Sequence, residues 1–175
     1  MTYDPAHGVV VLFGGSTGGD DTWAYDGLSW RLVIPVDPED DGNPVSRVKH
    51  SLAYDSARGL VVLFGGLFEA EQGSLCPDGQ TTAGYSGCTL NDTWEYDGES
   101  WAQVTLVDPE GDGQPAARDD YGLTYDALRE VMVLFGGHYS DNDVWEYDGY
   151  SWRKNEVTDP EGDGNPSARD GLRLA

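Results

Sequence analysis

The five-residue sequence VLFGG occurs three times in this chain, at residues 11–15, 62–66 and 133–137. Each copy is followed, in the same order, by a tryptophan, an Asp-Gly pair, a Ser-Trp pair and an Asp-Pro pair. The tryptophans Trp23, Trp94 and Trp145 are 71 and 51 residues apart, because one unit carries an insertion. A repeat of this length indicates an architecture in which each unit buries its apolar faces against its neighbours.

The charge of the chain excludes several classes of partner. Its 175 residues include 32 Asp and Glu but only 10 Lys and Arg, for a formal net charge of −22. This balance argues against binding to nucleic acid or to anionic membranes, and it is compatible with binding cations. No run of 18 apolar residues is present, so the sequence predicts no membrane insertion, and its first residues do not read as a signal peptide.

The third unit shows which secondary structure each repeat predicts. The continuous apolar run at residues 131–135 is typical of a strand that is covered on both faces. Further strands are predicted at residues 121–126, 143–147 and 151–157, with a tight hairpin turn at Asp148-Gly149. No helical periodicity is present, and the same interpretation fits residues 51–105 outside the insertion. The chain is therefore predicted to be all-β, with four short antiparallel strands in each unit, as in one blade of a β-propeller.

The repeated residues also resemble those of a known family. Each unit has a glycine pair, then a tyrosine that is followed five residues later by a tryptophan: Gly14-Gly15, Tyr25 and Trp30; Gly65-Gly66, Tyr96 and Trp101; Gly136-Gly137, Tyr147 and Trp152. Arg47, Arg118 and Arg169 precede the first strands, and we expect them to pair with acids or carbonyls between units. This pattern resembles the kelch repeats of bacterial proteins and of the galactose oxidase propeller. The resemblance implies a kelch-type β-propeller with blades at about residues 1–46, 47–117 and 118–168.

The spacing of the units also predicts an assembly. In two units an arginine precedes a tyrosine by seven positions, Arg47 before Tyr54 and Arg118 before Tyr125, whereas after Arg169 the missing Tyr-Asp pair is found at Tyr3-Asp4. Residues 169–175 are therefore predicted to form a first strand that pairs with residues 9–13 of this chain or of another copy. Propellers have four to eight blades, so three blades per chain predict a homodimer that closes a six-bladed ring. The alternative is that the chain is half of a longer natural protein, and such a half could still dimerise.

Acidic loops between the units suggest a metal site. The pattern D-x-E-x-D-G resembles the first half of an EF-hand calcium loop, in which oxygen ligands converge on the ion and a glycine permits the bend. The candidate calcium ligands are Asp37, Glu39, Asp41, Asp108, Glu110, Asp112, Asp159, Glu161 and Asp163, joined at position 12 by Asp119 and Asp170. The first loop has Val48 at position 12 and departs from the pattern. The alternative interpretation is a rigid Pro-Gly connector with solvated acids.

The insertion at residues 67–90 contains both cysteines, Cys76 and Cys88. We predict a disulfide between them, which implies an oxidising compartment and hence an extracellular or cell-surface location. The alternative is a pair of free thiols in a reduced protein. A long loop on a rigid scaffold often carries recognition, so this loop is the best candidate for a specific binding surface.

These observations predict a non-enzymatic scaffold or protein-recognition module. The alternative is a calcium-dependent, carbohydrate-binding propeller, in which the tryptophans would stack on sugars, although their fixed place in the repeat favours packing between blades. A propeller lyase or oxidase is the third possibility and would need His, Tyr or Arg to converge at the central funnel. His7, His50 and His138 occupy different places in the repeat and match no metal or nucleophile motif. The copper ligands of galactose oxidase cannot be mapped onto this sequence, so no enzymatic activity is predicted.

Overall fold

The computed structural model describes residues 1–16, 19–69, 75–77, 87–138 and 142–172 of the chain. These residues form three four-stranded antiparallel sheets, and no helix occurs among them. The all-β prediction and the prediction of four strands per unit are confirmed. Across the described ranges there is also no helical segment that could cross a membrane.

Each sheet is built from four strands that are consecutive in sequence. The first sheet contains β1 (Thr2–Asp4), β2 (Val9–Phe13), β3 (Thr22–Tyr25) and β4 (Trp30–Val33). The second contains β5 (Ser51–Asp55), β6 (Leu60–Phe68), β7 (Cys88–Tyr96) and β8 (Trp101–Gln103). The third contains β9 (Gly122–Asp126), β10 (Val131–Phe135), β11 (Val144–Tyr147) and β12 (Trp152–Asn155). All of these strands lie inside the predicted units 1–46, 47–117 and 118–168.

The Asp-Gly pairs form the hairpin turns that join the third and fourth strands. Asp97 Oδ1 accepts hydrogen bonds from the backbone N–H groups of Glu99 and Ser100, at 2.9 and 2.8 Å. Gly98 has a φ of 103°, a backbone conformation that residues other than glycine rarely adopt. The equivalent aspartates Asp26 and Asp148 accept the same pair of bonds in their own turns.

The sheets pack face to face, and the central sheet is covered on both sides. Along β6, Val61 and Leu63 belong to a buried cluster shared with the first sheet. The alternate residues Val62 and Phe64 belong to a second cluster shared with the third sheet. This period-two division explains the continuous apolar run in the sequence, because a strand buried on both faces has no polar side.

The contacts between sheets differ from their inner to their outer strands. The first strands of neighbouring sheets touch, β1 against β5 and β5 against β9. Among the described elements, no Cα atoms of the fourth strands of different sheets lie within 8 Å of each other. The sheets therefore lie close together at their first strands and apart at their fourth strands.

The structure corrects the predicted end of one strand. The glycine pairs end β2 and β10, as expected, but β6 continues through Gly65 and Gly66 to Phe68. The pairing register shifts between Phe64 and Gly66, and beyond the shift Phe68 pairs with Cys88. The first and last residues of the insertion thus pair with each other and extend the β6–β7 hairpin.

The predicted strand at residues 169–175 is described only in part. Residues 169–172 have irregular backbone in the single chain, as do their counterparts 118–121 before β9, and the pairing of this segment with a second copy stays a prediction. Residues 173–175 lie outside the described residues. In the first sheet β2 pairs with β1 of the same chain, from Asp4 opposite Val9 to Thr2 opposite Val11.

Candidate functional site

Arg47 joins the first sheet to the second. Its buried guanidinium donates to both carboxylate oxygens of Asp92, at 2.6 and 2.8 Å, and to the carbonyl of Gly65 at 3.0 Å. Its own carbonyl accepts a hydrogen bond from the N–H of Gly15 in the first sheet, at 3.1 Å. One residue thus binds two sheets, and we call this arrangement the arginine clasp: an arginine, a glycine N–H of the preceding sheet, and a glycine carbonyl and an aspartate of the following sheet.

Arg118 forms the same clasp between the second and third sheets. Its guanidinium donates to Asp143, at 2.9 and 3.2 Å, and to the carbonyl of Gly136 at 3.1 Å, while its carbonyl accepts from Gly66 N–H at 3.0 Å. Asp143 also accepts a bond from the indole N–H of Trp145 at 2.6 Å. Burial acts to raise the pKa of Asp143, but the bonds from Arg118 and Trp145 outweigh it and lower the pKa below its ordinary value.

The clasp explains both glycines of the repeated motif. A Cβ on Gly14 would lie 2.7 Å from the Arg47 carbonyl oxygen, and a Cβ on Gly65 would lie 2.9 Å from that of Arg118. Any larger residue would displace the arginine backbone, so the first glycine permits the close approach. The second glycine donates its N–H to the arginine carbonyl with a positive φ, 121° at Gly15 and 99° at Gly66, which residues other than glycine rarely adopt.

Arg169 forms only half of a clasp. Its carbonyl accepts a hydrogen bond from Gly137 N–H at 3.0 Å, as in the other two units. Its guanidinium is exposed and donates to the backbone carbonyl and the hydroxyl of Ser167, at 3.0 and 3.4 Å. The aspartate equivalent to Asp92 and Asp143, two residues before the first tryptophan of the unit, is Asp21. Asp21 is exposed and forms no ion pair within the described part of the chain.

The tryptophans of the Ser-Trp pairs form the apolar contacts between sheets. The ring of Trp101 lies 5.3 Å from that of Phe13, and the ring of Trp152 lies 5.0 Å from that of Phe64. Both tryptophans are fully buried, whereas the equivalent Trp30 is 47% exposed on the outer face of the first sheet. Their fixed place in the repeat therefore serves packing where a neighbouring sheet is present, as predicted.

In the described part of the chain, the outer faces of the first and third sheets are open to solvent. On the first sheet, Leu12, Trp23 and Trp30 line a surface cavity of about 390 Å³. On the third sheet, a cavity of about 480 Å³ is lined by residues that include Phe135 and Val144. Phe135 is the equivalent of Phe13 and Phe64, the partners of the buried tryptophans.

The acidic loops run along the outer strand of the next sheet. Asp41 in the first loop accepts a hydrogen bond from the backbone N–H of Gln103 at 2.8 Å, and Asp112 in the second accepts one from that of Lys154 at 2.8 Å. Just before the first loop, Val36 N–H donates to the carbonyl of Glu99 at 3.1 Å. These aspartates therefore hold each connector against the neighbouring sheet.

The other predicted calcium ligands do not converge. Asp37, Asp108 and Asp159 accept hydrogen bonds from backbone N–H groups of their own loops. Asp119 is buried and pairs with Lys49 at 3.3 Å, and Asp170 lies 3.3 Å from His138. Glu39, Glu110, Glu161 and Asp163 are exposed. In the ranges that the structure covers, no three carboxylate, imidazole or thiolate groups are placed to hold a metal ion, and calcium binding stays a prediction.

A polar cluster between the second and third sheets was not predicted. Arg58 pairs with Asp55 at 2.7 Å and with Glu95, and it lies 5.4 Å from the centre of the Tyr147 ring. Tyr147 donates its hydroxyl to Glu95 at 2.7 Å. The sequence signal was an aspartate followed three residues later by an arginine, which recurs as Asp126 and Arg129. Each charge in the cluster is paired, as a structural ion pair requires.

His50 is a partly buried histidine at the interface of the first two sheets. Its ring lies 5.7 Å from that of Phe13, edge to face. Burial, assisted by the nearby charge of Arg47, lowers the pKa of His50 to about 4. His50 is therefore neutral at physiological pH.

The insertion carries the disulfide. Cys76 and Cys88 are bonded, with Cα atoms 5.8 Å apart. Because Cys88 begins β7 and pairs with Phe68, the bond attaches the loop to the end of the β6–β7 hairpin. Residues 70–74 and 78–86 of the insertion lie outside the described residues. The bond is compatible with an oxidising, extracellular environment.

Comparison with known proteins shows a partial similarity. No protein-family model matches this chain. The chain is 28% identical, over 156 residues, to Mei4-dependent protein 6 of Schizosaccharomyces pombe. The match covers 85% of this chain but only 20% of that protein, so the chain spans about a fifth of the length of the relative it matches.

Proposed function

We propose that this chain is a non-enzymatic module of a kelch-type β-propeller that acts as a scaffold for protein recognition. The observation that carries this proposal is the arginine clasp, which occurs with the same partners at both interfaces between sheets. The same interface is repeated between equivalent sheets, whose first strands lie close together and whose fourth strands lie apart. A repeat of this kind arranges the sheets like a fan around one axis. Such a fan is the arrangement of blades in a propeller.

The buried charges support a scaffold rather than a catalytic site. Arg47 and Arg118 are bound by an aspartate and a backbone carbonyl, and the buried Glu146 is bound by Arg129, Arg153 and Asn155. The two arginines fix neighbouring sheets relative to each other, whereas the groups around Glu146 hold the strands of the third sheet together. A rigid scaffold of this kind commonly displays its loops for recognition.

The loop stapled by Cys76 and Cys88 is the proposed recognition surface. It extends from the β6–β7 hairpin of the central sheet, whereas the first and third units have short loops at this place. A loop closed by a disulfide loses less conformational entropy when it binds a partner than an open loop of equal length. We propose an extracellular or cell-surface protein as the partner.

Affinity capture with two matched baits tests this function. One bait is the intact chain, and the other replaces residues 69–87, which lie between β6 and β7, with the sequence of residues 16–20 of the first unit and carries Cys88→Ser. We expect a partner protein that the intact bait retains and the loop variant loses, and that binds again as a purified protein. Equal retention by both baits would refute the role of the loop. Chelator-sensitive binding to a glycan array would favour the carbohydrate-binding alternative instead.

A further inference from the structure

We infer that the open faces of the first and third sheets bind each other between two copies of this chain, with Arg169 of one copy completing its clasp on Asp21 of the other. This inference rests on the proposed propeller and specifies how its ring closes. The inference is argued from contacts that each occur at both interfaces inside the chain and whose remaining partners lie on the two open faces.

On the third sheet, Arg169 already has part of the clasp geometry. The carbonyl of Arg169 is already bound to Gly137 N–H, as those of Arg47 and Arg118 are bound to Gly15 and Gly66. Its Nε also donates to the carbonyl two residues earlier, at 3.0 Å, as in both complete clasps. Arg169 therefore has the local conformation of a clasp arginine before it meets an aspartate.

The matching acceptors lie on the first sheet. Asp21 and the carbonyl of Gly14 are equivalent in sequence to Asp92 and Gly65, which bind Arg47. An exposed arginine on one face and an exposed aspartate on the other are complementary in charge. A bidentate pair of this kind also fixes the orientation of the two faces.

On the first sheet, Trp30 already has the ring arrangement of the buried tryptophans. Trp30 stacks on Tyr25 at 5.1 Å between ring centres, as Trp152 stacks on Tyr147 at 5.1 Å inside the stack. Trp152 is buried against Phe64, and the equivalent of Phe64 on the open face of the third sheet is Phe135. Burial of Trp30 against Phe135 would remove a large aromatic side chain from water, which stabilises the assembly.

The third acidic loop supplies a further contact. Asp41 and Asp112 accept bonds from the residue two positions after the tryptophan of the next sheet, Gln103 and Lys154. Asp163 is their equivalent, and in the first sheet the residue two positions after the tryptophan is Leu32. Asp163 of one copy would thus accept from Leu32 N–H of the other.

One contact is missing, which makes this interface weaker than those inside the chain. The indole N–H groups of Trp101 and Trp152 donate to the hydroxyls of Thr22 and Thr93, both at 3.0 Å. The equivalent residue in the third sheet is Val144, which has no hydroxyl. The assembly should therefore depend on concentration. Because propellers contain four to eight blades, two copies close a six-bladed ring about a two-fold axis.

The solution mass, measured by light scattering after size-exclusion chromatography, tests the interface. We expect the wild-type chain to have twice its mass of 19.0 kDa. Asp21→Arg and Arg169→Asp should each weaken association by about 30-fold or more, since each leaves a charge without its partner. Combining the two substitutions should restore much of the association. Asp20→Arg changes a neighbouring exposed aspartate by the same charge and should leave the mass unchanged.

A second measurement guards against misfolding of a variant. Thermal unfolding of Asp21→Arg and Arg169→Asp should remain cooperative, because both residues are exposed in the single chain. In the wild type, acrylamide should quench the fluorescence of Trp30 less as the protein concentration rises. The Trp30→Phe variant gives the signal of the other tryptophans, which is subtracted.

Each contrary result is distinct from failure of the proposed function. A wild-type mass of one chain at micromolar concentration overturns the interface, whatever the capture experiment shows, and assigns the two faces to another occupant. A two-chain mass that Asp21→Arg and Asp20→Arg affect equally overturns the clasp. A mass well above two chains overturns the closed ring. Loss of loop-dependent capture with a two-chain mass would refute recognition alone.

Discussion

Trp152 of the third sheet donates its indole N–H to the hydroxyl of Thr93 in the second sheet, across 3.0 Å. Trp152 and Trp101 are both fully buried, and Trp101 makes the same bond to Thr22. A buried indole N–H that lacks an acceptor carries its full cost of desolvation. The threonine before the first tryptophan of a unit is therefore part of the packing between sheets.

We expect Thr93→Val to lower the free energy of unfolding by about 1 to 3 kcal/mol, because valine keeps the volume but removes the acceptor. Urea unfolding followed by circular dichroism measures the change. Thr89→Val makes the same substitution at an exposed position of β7 and should shift stability by less than about 0.5 kcal/mol. Equal effects from the two variants would contradict the assigned role of Thr93.

Asp143→Asn should destabilise the chain strongly. Arg118 is buried, and the substitution removes the negative charge that compensates its guanidinium. Loss of one partner of a buried ion pair costs about 3 to 5 kcal/mol. The matched control is Asp21→Asn, which changes the equivalent residue of the first unit.

The control separates the two roles of this position. Asp21 forms no ion pair in the described part of a single chain, so Asp21→Asn should leave its unfolding nearly unchanged. Measurement at concentrations low enough to keep single chains avoids any effect of association. A destabilisation by Asp21→Asn as large as that by Asp143→Asn would show that the effect at Asp143 does not come from its ion pair with Arg118.

His50 should make stability depend on pH. The folded-state pKa of His50 is about 4 and its ordinary value is 6.5, so between these values the unfolded chain binds a proton that the folded chain does not. Stability therefore rises with pH from about 4 to 6.5, by up to about 3 kcal/mol from this group. Above pH 6.5 and below pH 4 the contribution of His50 is constant.

Comparison of wild type with His50→Gln isolates this term from the carboxylates that titrate in the same range. The free energy of unfolding of the wild type, minus that of His50→Gln, should fall as the pH falls from 6.5 to 4. A difference that stays constant across this range would show that His50 is protonated equally in both states.

The sequence predicted the strands better than the contacts between them. The apolar run of β10 has the predicted bounds, Val131–Phe135, because its period-two burial leaves no polar residue inside it. The arginines were expected to meet acids or carbonyls, and Arg47 meets both. Its acidic partner, Asp92, is 45 residues away in sequence, and no local pattern identifies a partner at that distance.

The acidic loops show why one pattern permitted two interpretations. Carboxylates at alternate positions followed by glycine suit a calcium loop, and they also suit a connector whose aspartates bind backbone N–H groups. Asp112 takes the second role with Lys154, a residue 42 positions later. Only the placement of the neighbouring sheet distinguishes these roles, and a single loop sequence does not contain it.

Val144→Thr should strengthen the association of two copies. The substitution places a hydroxyl where Thr22 and Thr93 accept bonds from buried indoles, and Trp30 of the second copy would be its donor. A hydrogen bond contributes about 0.5 to 1.5 kcal/mol, or roughly 2- to 10-fold in affinity for each of the two interfaces. Sedimentation equilibrium across a range of concentrations measures the dissociation constant.

The double variant Val144→Thr with Trp30→Phe identifies the donor. Phenylalanine retains an aromatic ring but has no N–H, so the gain from threonine should disappear in this background. If Val144→Thr tightened association equally with Trp30 or phenylalanine present, the hydroxyl would be acting through another group. If Val144→Thr weakened association in both backgrounds, the open face of the third sheet would not bind Trp30. The added hydroxyl would then be buried without the indole donor that Thr93 has, and such burial is unfavourable.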